Sequence, residues 1–468
     1  MNADSREEFL ARARGAIEDP HLQEALDLAT RRFLRMRQNA FQSLADPEGL
    51  RRRAKAIKEQ TLRELDRHLE RLAHEIRRVG GQIHFAADGQ ECADIVLRLA
   101  RERGVRSVVK SKSMATEEID LNHALGVAGI SVTETDLGEW IIQLAGERPS
   151  HIIAPAIHKS TRQIAELFSA AVGERLPPEP AALTAAARRA LRQKFLGADM
   201  GVSGANFAVA ETGTIVLVTN EGNGRLVTTL PRIHVAIMGM EKVIPTLTDL
   251  MVVLQLLARS ASGQKMSVYT SLIRGPRRSR EADGPEEVHL IVLDHGRSRQ
   301  LGGPLQESLF CLRCGACLNV CPVYTEVGGH SYDSTYPGPI GTILTAFLGP
   351  APKNLAGAST LCGACLDVCP VMIDIPRMLL NLRHEAEQRR QISPGEWWLF
   401  KAAGAILGSP VLYRLSARLA RLLQRPFVQD GHLTRLPRPL AGWTRFRDLP
   451  AVTARPFHIR WRELDREA

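Results

Sequence analysis

The chain has 468 residues, 44% hydrophobic and 24% charged, a length and balance that suit a globular protein of about two to four domains. Collagen-like, low-complexity and wholly disordered chains are excluded. No stretch approaches the run of about 18 apolar residues that a spanning helix needs, and the opening MNADSREEFLARAR holds no apolar signal core. The net charge of +10 is uneven: residues 380–468 hold 16 Arg and Lys against 8 Asp and Glu, a net +8, leaving +2 for the rest. That distribution argues against a uniformly basic nucleic-acid binder and for a basic tail facing an acidic partner or an anionic membrane surface.

Residues 1–78 form a helical N-terminal extension. Leu50, Ile57, Leu62, Leu65, Leu69, Leu72 and Ile76 make an apolar stripe of helical period, which Gly80 and Gly81 end. An amphipathic cap on the next domain is expected, with a coiled-coil arm as the alternative. Residues 79–295 alternate strand-like and helix-like segments: QIHFA (82–86), RSVVK (106–110), HIIAP (151–155), TIVLVT (214–219), IHVAIMG (233–239), MSVYTSLI (266–273) and VHLIVLD (288–294) read as strands. Such alternation predicts an α/β domain whose sheet carries helices on both faces and its ligand site at the carboxyl ends of strands. Residues 296–310 read as a linker and 311–390 as cysteine motifs with helical spacers. The region 391–468 opens with helix-like WWLFKAAGAILG and VLYRLSARLARLLQR and ends in a Pro/Arg-rich tail.

Eight cysteines are too few for a disulfide scaffold in a chain this long, but seven of them are grouped. CLRCGACLNVCP places Cys311, Cys314, Cys317 and Cys321 at C-x2-C-x2-C-x3-C-P. CGACLDVCP places Cys362, Cys365 and Cys369 at the spacing of the last three. Soft thiolates at these intervals suit iron–sulfur clusters, and in two-cluster proteins the cysteine before proline ligates the other cluster. Cluster 1 would take Cys311, Cys314, Cys317 and Cys369; cluster 2 would take Cys321, Cys362 and Cys365. The missing fourth cysteine of cluster 2 falls at Ser359. Cluster 2 is therefore a three-iron cluster, a cubane with a non-cysteine fourth ligand, or a cubane with an open iron; a cubane is favoured. A pair of zinc sites fits seven cysteines with two Cys-Pro endings poorly. Cys92 reads as a small buried residue, His330 as a loop residue, and His123, His151 and His158 as structural or surface groups.

Two further segments are densely polar. Lys110, Ser111 and Lys112 follow a predicted strand, and Thr116, Glu117 and Glu118 could open a helix. Glu211 and Thr212 precede another strand, which a Gly-rich loop from Asn220 to Arg225 follows. That loop could cradle an anion with help from Arg225, although an ordinary hairpin turn is the preferred reading.

The segments KSKSMATEEIDLNHAL and ETGTIVLVTNEGNGRL resemble the LUD domain. Followed by CxxCGxCxxxCPVY, CGACxxxCPVxIDIP and a helical basic tail, they resemble the lactate-utilisation iron–sulfur protein B family. The resemblance implies an isomerase/CoA-transferase-like α/β domain, then an all-helical two-cluster ferredoxin domain, then a basic helical C-terminal region. It also implies two [4Fe–4S] clusters on the seven cysteines and a role as electron transporter in a cytoplasmic multi-protein system oxidising L-lactate to pyruvate. It leaves open whether this chain does chemistry itself, and the electron acceptor. Partners would be the other subunits, with membrane-surface contact through the tail and Trp397, Trp398 and Phe400 as an alternative. Two rival readings are kept: a LUD domain that binds and oxidises a 2-hydroxy acid through Lys110, Lys112 and Arg225, and a redox-sensing regulator. No flavin or nicotinamide fingerprint is present.

Overall fold

A computed structural model describes residues 3–348, 355–389 and 394–461, apart from 439, 445, 446, 454 and 458. The chain divides into two compact units, Met1–Gln391 and Ile392–Ala468.

The first unit opens with four helices, α1 (Ala3–Glu18), α2 (Pro20–Gln42), α3 (Pro47–Arg63) and α4 (Leu65–Arg78). Local chemistry sets their boundaries. Asp19 caps α2 by accepting from the N–H groups of His21 and Leu22, with Pro20 in the first turn, and Asp46 with Pro47 repeats the device on α3. The stripe is real: Leu62, Leu65, Leu72 and Ile76 are buried. The helices form no free arm. Arg12 Nε donates to Ser331 O (3.2 Å), Arg37 Nη2 to Val368 O (2.7 Å) and Arg51 Nη2 to Cys369 O (2.8 Å), so they strap the cysteine region.

Ten strands follow in the α/β part: β1 (Gln82–Ala86), β2 (Ser107–Lys110), β3 (Ser131–Glu134), β4 (Met200–Gly204), β5 (Phe207–Val209), β6 (Thr214–Thr219), β7 (Ile233–Gly239), β8 (Val243–Ile244), β9 (Tyr269–Ile273) and β10 (Glu287–Leu293). Six make a parallel sheet in the order β1-β10-β7-β4-β2-β3, and four make a smaller mixed sheet in the order β8-β5-β6-β9. All of β7 and six of the seven residues of β10 are buried, as continuous apolar runs must be in a parallel sheet covered on both faces. Cys92 sits fully buried in the core on one face of that sheet.

Two sequence readings of this part are corrected. HIIAP (151–155) forms turns, not a strand, because the His151 ring accepts at Nδ1 from the N–H groups of Ile153 and Ala154 and so folds the backbone on itself. The Gly-rich loop is not a hairpin turn: Asn223–Thr229 is helical. The second sheet was not foreseen.

Residues 296–310, expected as a linker, are folded into this unit, with Arg297, Ser308, Leu309 and Phe310 buried. From there to Arg389 the regular structure of the described residues is short helices, ending in Ile375–Gln388, which Asp374 caps. Among its described residues the second unit has two α-helices, Pro394–Gly408 and Pro410–Leu423, and also a small antiparallel sheet of Val428–Gln429, His432–Leu433 and Leu449–Pro450. The expected basic helical region and tail thus also carries a small sheet, which the sequence did not announce: Asp430 (φ 47°) and Gly431 (φ 76°) make a two-residue hairpin turn.

Candidate iron–sulfur centres and the adjoining cavity

The two cysteine motifs fold alike. Arg313 (φ 59°) and Leu361 (φ 55°) each take a left-handed backbone just before a cysteine, and Gly315 (φ 73°) and Gly363 (φ 86°) follow that cysteine. A four-residue helix comes next in each, Ala316–Asn319 and Ala364–Asp367. At Gly315 a Cβ would lie 3.2 Å from His151 Cε1, so a side chain would press on a buried ring. Left-handed Arg and Leu cost about 1–2 kcal/mol each, strain that the repeated loop form imposes twice.

All seven motif cysteines are free thiols; six are buried and Cys362 is exposed. They fall into two groups. Burial, then the nearby Cys311 and Cys369, push the Cys314 thiol up to about 12. Burial raises Cys317, which Cys311, Cys314 and Cys369 raise as well. In the other group burial, Cys321 and Cys362 push Cys365 up to about 12, and burial and Cys362 raise Cys321. Thiols gathered without disulfides, with Cys314, Cys317 and Cys369 held protonated by burial, are unstable as bare thiolates. A bound metal core is what deprotonates such a set, so the donors fit iron–sulfur clusters. Backbone N–H groups already point at the sulfurs: Arg313 N at Cys311 Sγ (3.3 Å) and Tyr324 N at Cys321 Sγ (3.5 Å).

Ser359 occupies the loop position of Cys311. Its Oγ accepts from Leu361 N at 3.1 Å, as Cys311 Sγ accepts from Arg313 N. Arg383 fixes this stretch by donating to Ala356 O and Ser359 O, both at 2.9 Å. His330 lies elsewhere: its Nε2 donates to Arg148 O (2.7 Å), and its ring stacks edge-on against His158. His158 itself bonds Glu147, His151 is a buried ring hydrogen-bonded to Asn319, and His123 is exposed.

Cations surround the first group. Arg51 donates to Leu366 O, Asp367 O and Cys369 O, Arg37 to Val368 O, and Lys242 Nζ to Cys311 O at 2.9 Å. Arg313 lies over the Tyr336 ring, 4.7 Å from Cζ to the centroid, and pairs with Glu241 at 3.3 Å. Glu241 also accepts from Arg297 Nε (2.8 Å), and Arg297 forks onto both oxygens of Glu118 (2.8 Å each). This buried chain of charges ties the parallel sheet to the cysteine loop.

A cavity of about 460 Å³ opens at the carboxyl ends of β2, β3, β4 and β7 and reaches the cysteine loop at Leu312 and Arg313. The predicted polar residues divide around it. Lys110 is not available for a ligand: its register partner across the sheet is Glu134, and its Nζ bonds Glu134 and Glu117 at 2.7 Å each. Burial lowers its pKa, but the two carboxylates outweigh that and raise it. Lys112 lines the cavity, and its Nζ is sealed from solvent with no hydrogen-bond partner among the described residues. Asn220 lines it while accepting from Val268 N (3.1 Å). Glu211 accepts from Leu247 N, Thr212 bonds Thr214, and exposed Arg225 lies over Tyr269; none of these three lines the cavity. Sequence reasoning missed Arg313, an unremarked spacer of the first motif, and Lys242, whose only signal was its place just after β7.

Three family descriptions match this chain in order: the LUD domain over residues 69–293, a 4Fe-4S dicluster domain over 307–373 and the C-terminal domain of lactate utilisation protein B over 381–465. Fold and motifs thus define a LUD-domain iron–sulfur protein of the dicluster class. Proteins named lactate utilization protein B match over nearly their whole length. That of Shouchella clausii is 42% identical over 96% of this chain and 95% of its own, and that of Anoxybacillus flavithermus 43% over 95% of each. The chain belongs to the lactate utilization protein B family. A solved DUF162-family structure from Deinococcus radiodurans covers 49% of this chain and 98% of its own at 13% identity, with a TM-score of 0.28, too low to bear on the fold. No helix among the described residues is long and apolar enough to cross a membrane.

Proposed function

We propose that this chain is an iron–sulfur electron carrier in a cytoplasmic complex that oxidises L-lactate to pyruvate. The observation that carries the reading is the pair of like-folded loops whose thiols gather as Cys311, Cys314, Cys317 and Cys369 on one side and Cys321, Cys362 and Cys365 on the other. These residues would hold two [4Fe–4S] clusters, with Ser359 Oγ in the fourth position of the second, and the clusters would supply one-electron storage at two neighbouring points.

The chain's own residues do the rest. Cys369 and Cys321 cross between the loops and fix the spacing of the two sites. Arg37, Arg51, Lys242 and Arg313 bring positive charge to the first site, which favours taking on an electron; the hydrogen bonds of Arg37 and Arg51 hold the second cysteine loop against the N-terminal helices, and those of Lys242 and Arg313 tie the first loop to the α/β part. In the second unit, helix Pro410–Leu423 exposes Leu412, Leu415, Leu419 and Leu422 beside Arg414, Arg418 and Arg421. This apolar, basic face would dock on another subunit of the complex.

Two measurements test the reading. Anaerobically purified protein should contain about eight irons and eight acid-labile sulfides per chain, the content of two cubanes, with paramagnetic signals on reduction; colourless protein holding zinc would refute it. Cells lacking the gene should fail to grow on L-lactate alone, and normal growth without a duplicate system would refute the physiological assignment. In flotation with anionic liposomes the chain should stay with the soluble fraction; flotation lost on removing residues 391–468 would assign the tail to a membrane surface instead.

A further inference from the structure

We propose that the cavity beside the first cysteine loop binds a small organic carboxylate, held between Lys112 and Arg313. The proposal adds a ligand to the electron-carrier reading and rests on it for the purpose of binding there.

The position comes first. The cavity lies at the carboxyl ends of parallel strands, where α/β sheets hold their ligands, and its volume of about 460 Å³ is that of a small-molecule site. Its far wall is made by Leu312 and Arg313, the two residues between Cys311 and Cys314. A molecule bound there touches the loop of the first site directly.

Most polar side chains of the lining already have partners. Asn206 accepts from Val218 N, Asn223 donates to Thr135, Glu221 accepts from Leu137 N, and Lys242 donates to Cys311 O. Two side-chain nitrogens are left over: Lys112 Nζ, whose pKa burial lowers against the pull of nearby carboxylates, and Arg313 Nη1 are both sealed from solvent, and neither has a hydrogen-bond partner among the described residues. Buried donors of this kind are expensive to leave unsatisfied, and an acceptor on a bound molecule would satisfy both at once.

The lining also selects the anion. Asp136, Glu139, Glu221 and Glu117 all act on the charge of Lys112, so a monoanion is tolerated far better than a phosphate dianion. The rest of the wall includes Met114, Ile152, Leu217, Met238 and Leu257, which suits an apolar body behind one carboxylate.

The test is titration calorimetry on anaerobically purified, iron-loaded full-length protein with L-lactate, pyruvate and inorganic phosphate as probes. One of the two carboxylates should bind saturably, one per chain. Lys112→Met should weaken it at least tenfold, and Lys112→Arg should recover part of the loss, with iron content and melting temperature unchanged in both. Absence of saturable carboxylate binding to the wild type, equal affinity in Lys112→Met, or phosphate binding as tightly as the carboxylates would each overturn the proposal. Failure here stays separate from failure of the carrier reading: a two-cluster protein that binds no carboxylate ends this proposal alone, whereas a clusterless protein that binds one ends the other.

Discussion

Replacing Glu241 with Gln tests the charge chain that joins the sheet to the cysteine loop. Glu241 is 1% exposed and accepts from Arg297 at one oxygen and Arg313 at the other. Burial alone would raise its carboxyl, yet Arg297, Arg313 and Lys242 pull it from 4.5 down to about 2. A gap of about 2.5 units corresponds to about 3 kcal/mol in favour of the folded carboxylate. Glutamine keeps the shape but not the charge. Arg297 retains its fork on Glu118, while Arg313 loses its carboxylate partner. The variant should therefore be about 3 kcal/mol less stable at pH 7 in urea unfolding under anaerobic conditions. Because the folded pKa lies below the unfolded one, this contribution is fully present above about pH 4.5 and fades as the pH falls toward 2. The stability gap between wild type and variant should thus be constant from pH 8 to 5 and narrow below that. Equal stability at pH 7, or a gap that widens on acidification, would refute the reasoning.

Further outcomes follow from the same geometry. Ser359→Cys should give the second site four cysteines, so that mild oxidation no longer yields the three-iron paramagnetic signal; the same signal growing with the same oxidant dose in wild type and variant would exclude Ser359 from the ligand set. With Cys362 exposed, a chelator should strip the second site before the first, read as biphasic loss of iron absorbance. Arg51→Met removes a buried cation and its bonds to three carbonyls, and should lower the midpoint potential of the first cluster in a redox titration while leaving that of the second unchanged. Lys110→Met should cost about 3–5 kcal/mol by stranding Glu134, 2% exposed, without its counter-ion, yet leave iron content intact in the folded fraction.

What could be read from residues alone follows a physical line. Spacing within each motif is local, so the thiols of one loop could be expected together, whereas the meeting of Cys369 with the first loop and of Cys321 with the second spans 41 residues or more and rests on the rule for two-cluster motifs. The apolar stripe around Leu65, Leu72 and Ile76 announced its helix for the same reason. Lys110 and Lys112 could not be told apart in this way. They lie two residues apart, and what separates them is Glu134 on a neighbouring strand, supplied by a register that no local pattern encodes. HIIAP had strand-like residues, yet the His151 side chain satisfied the backbone amides that a strand would have offered to a neighbour. Arg313 was hidden as a spacer inside a motif, because its role depends on Glu241, 72 residues earlier in the chain.

The straps from α2 and α3 have a consequence for biogenesis. Arg51 closes on the carbonyl of Cys369 across 318 residues. At synthesis rates of about 5–20 residues per second, those residues take about 16–64 s to emerge. Throughout that interval the first-made helices lack the surface they are built to grip, and the sulfurs they enclose cannot assemble. Iron delivery to the first site must accordingly wait until Cys369 has been made, which puts its assembly late in translation.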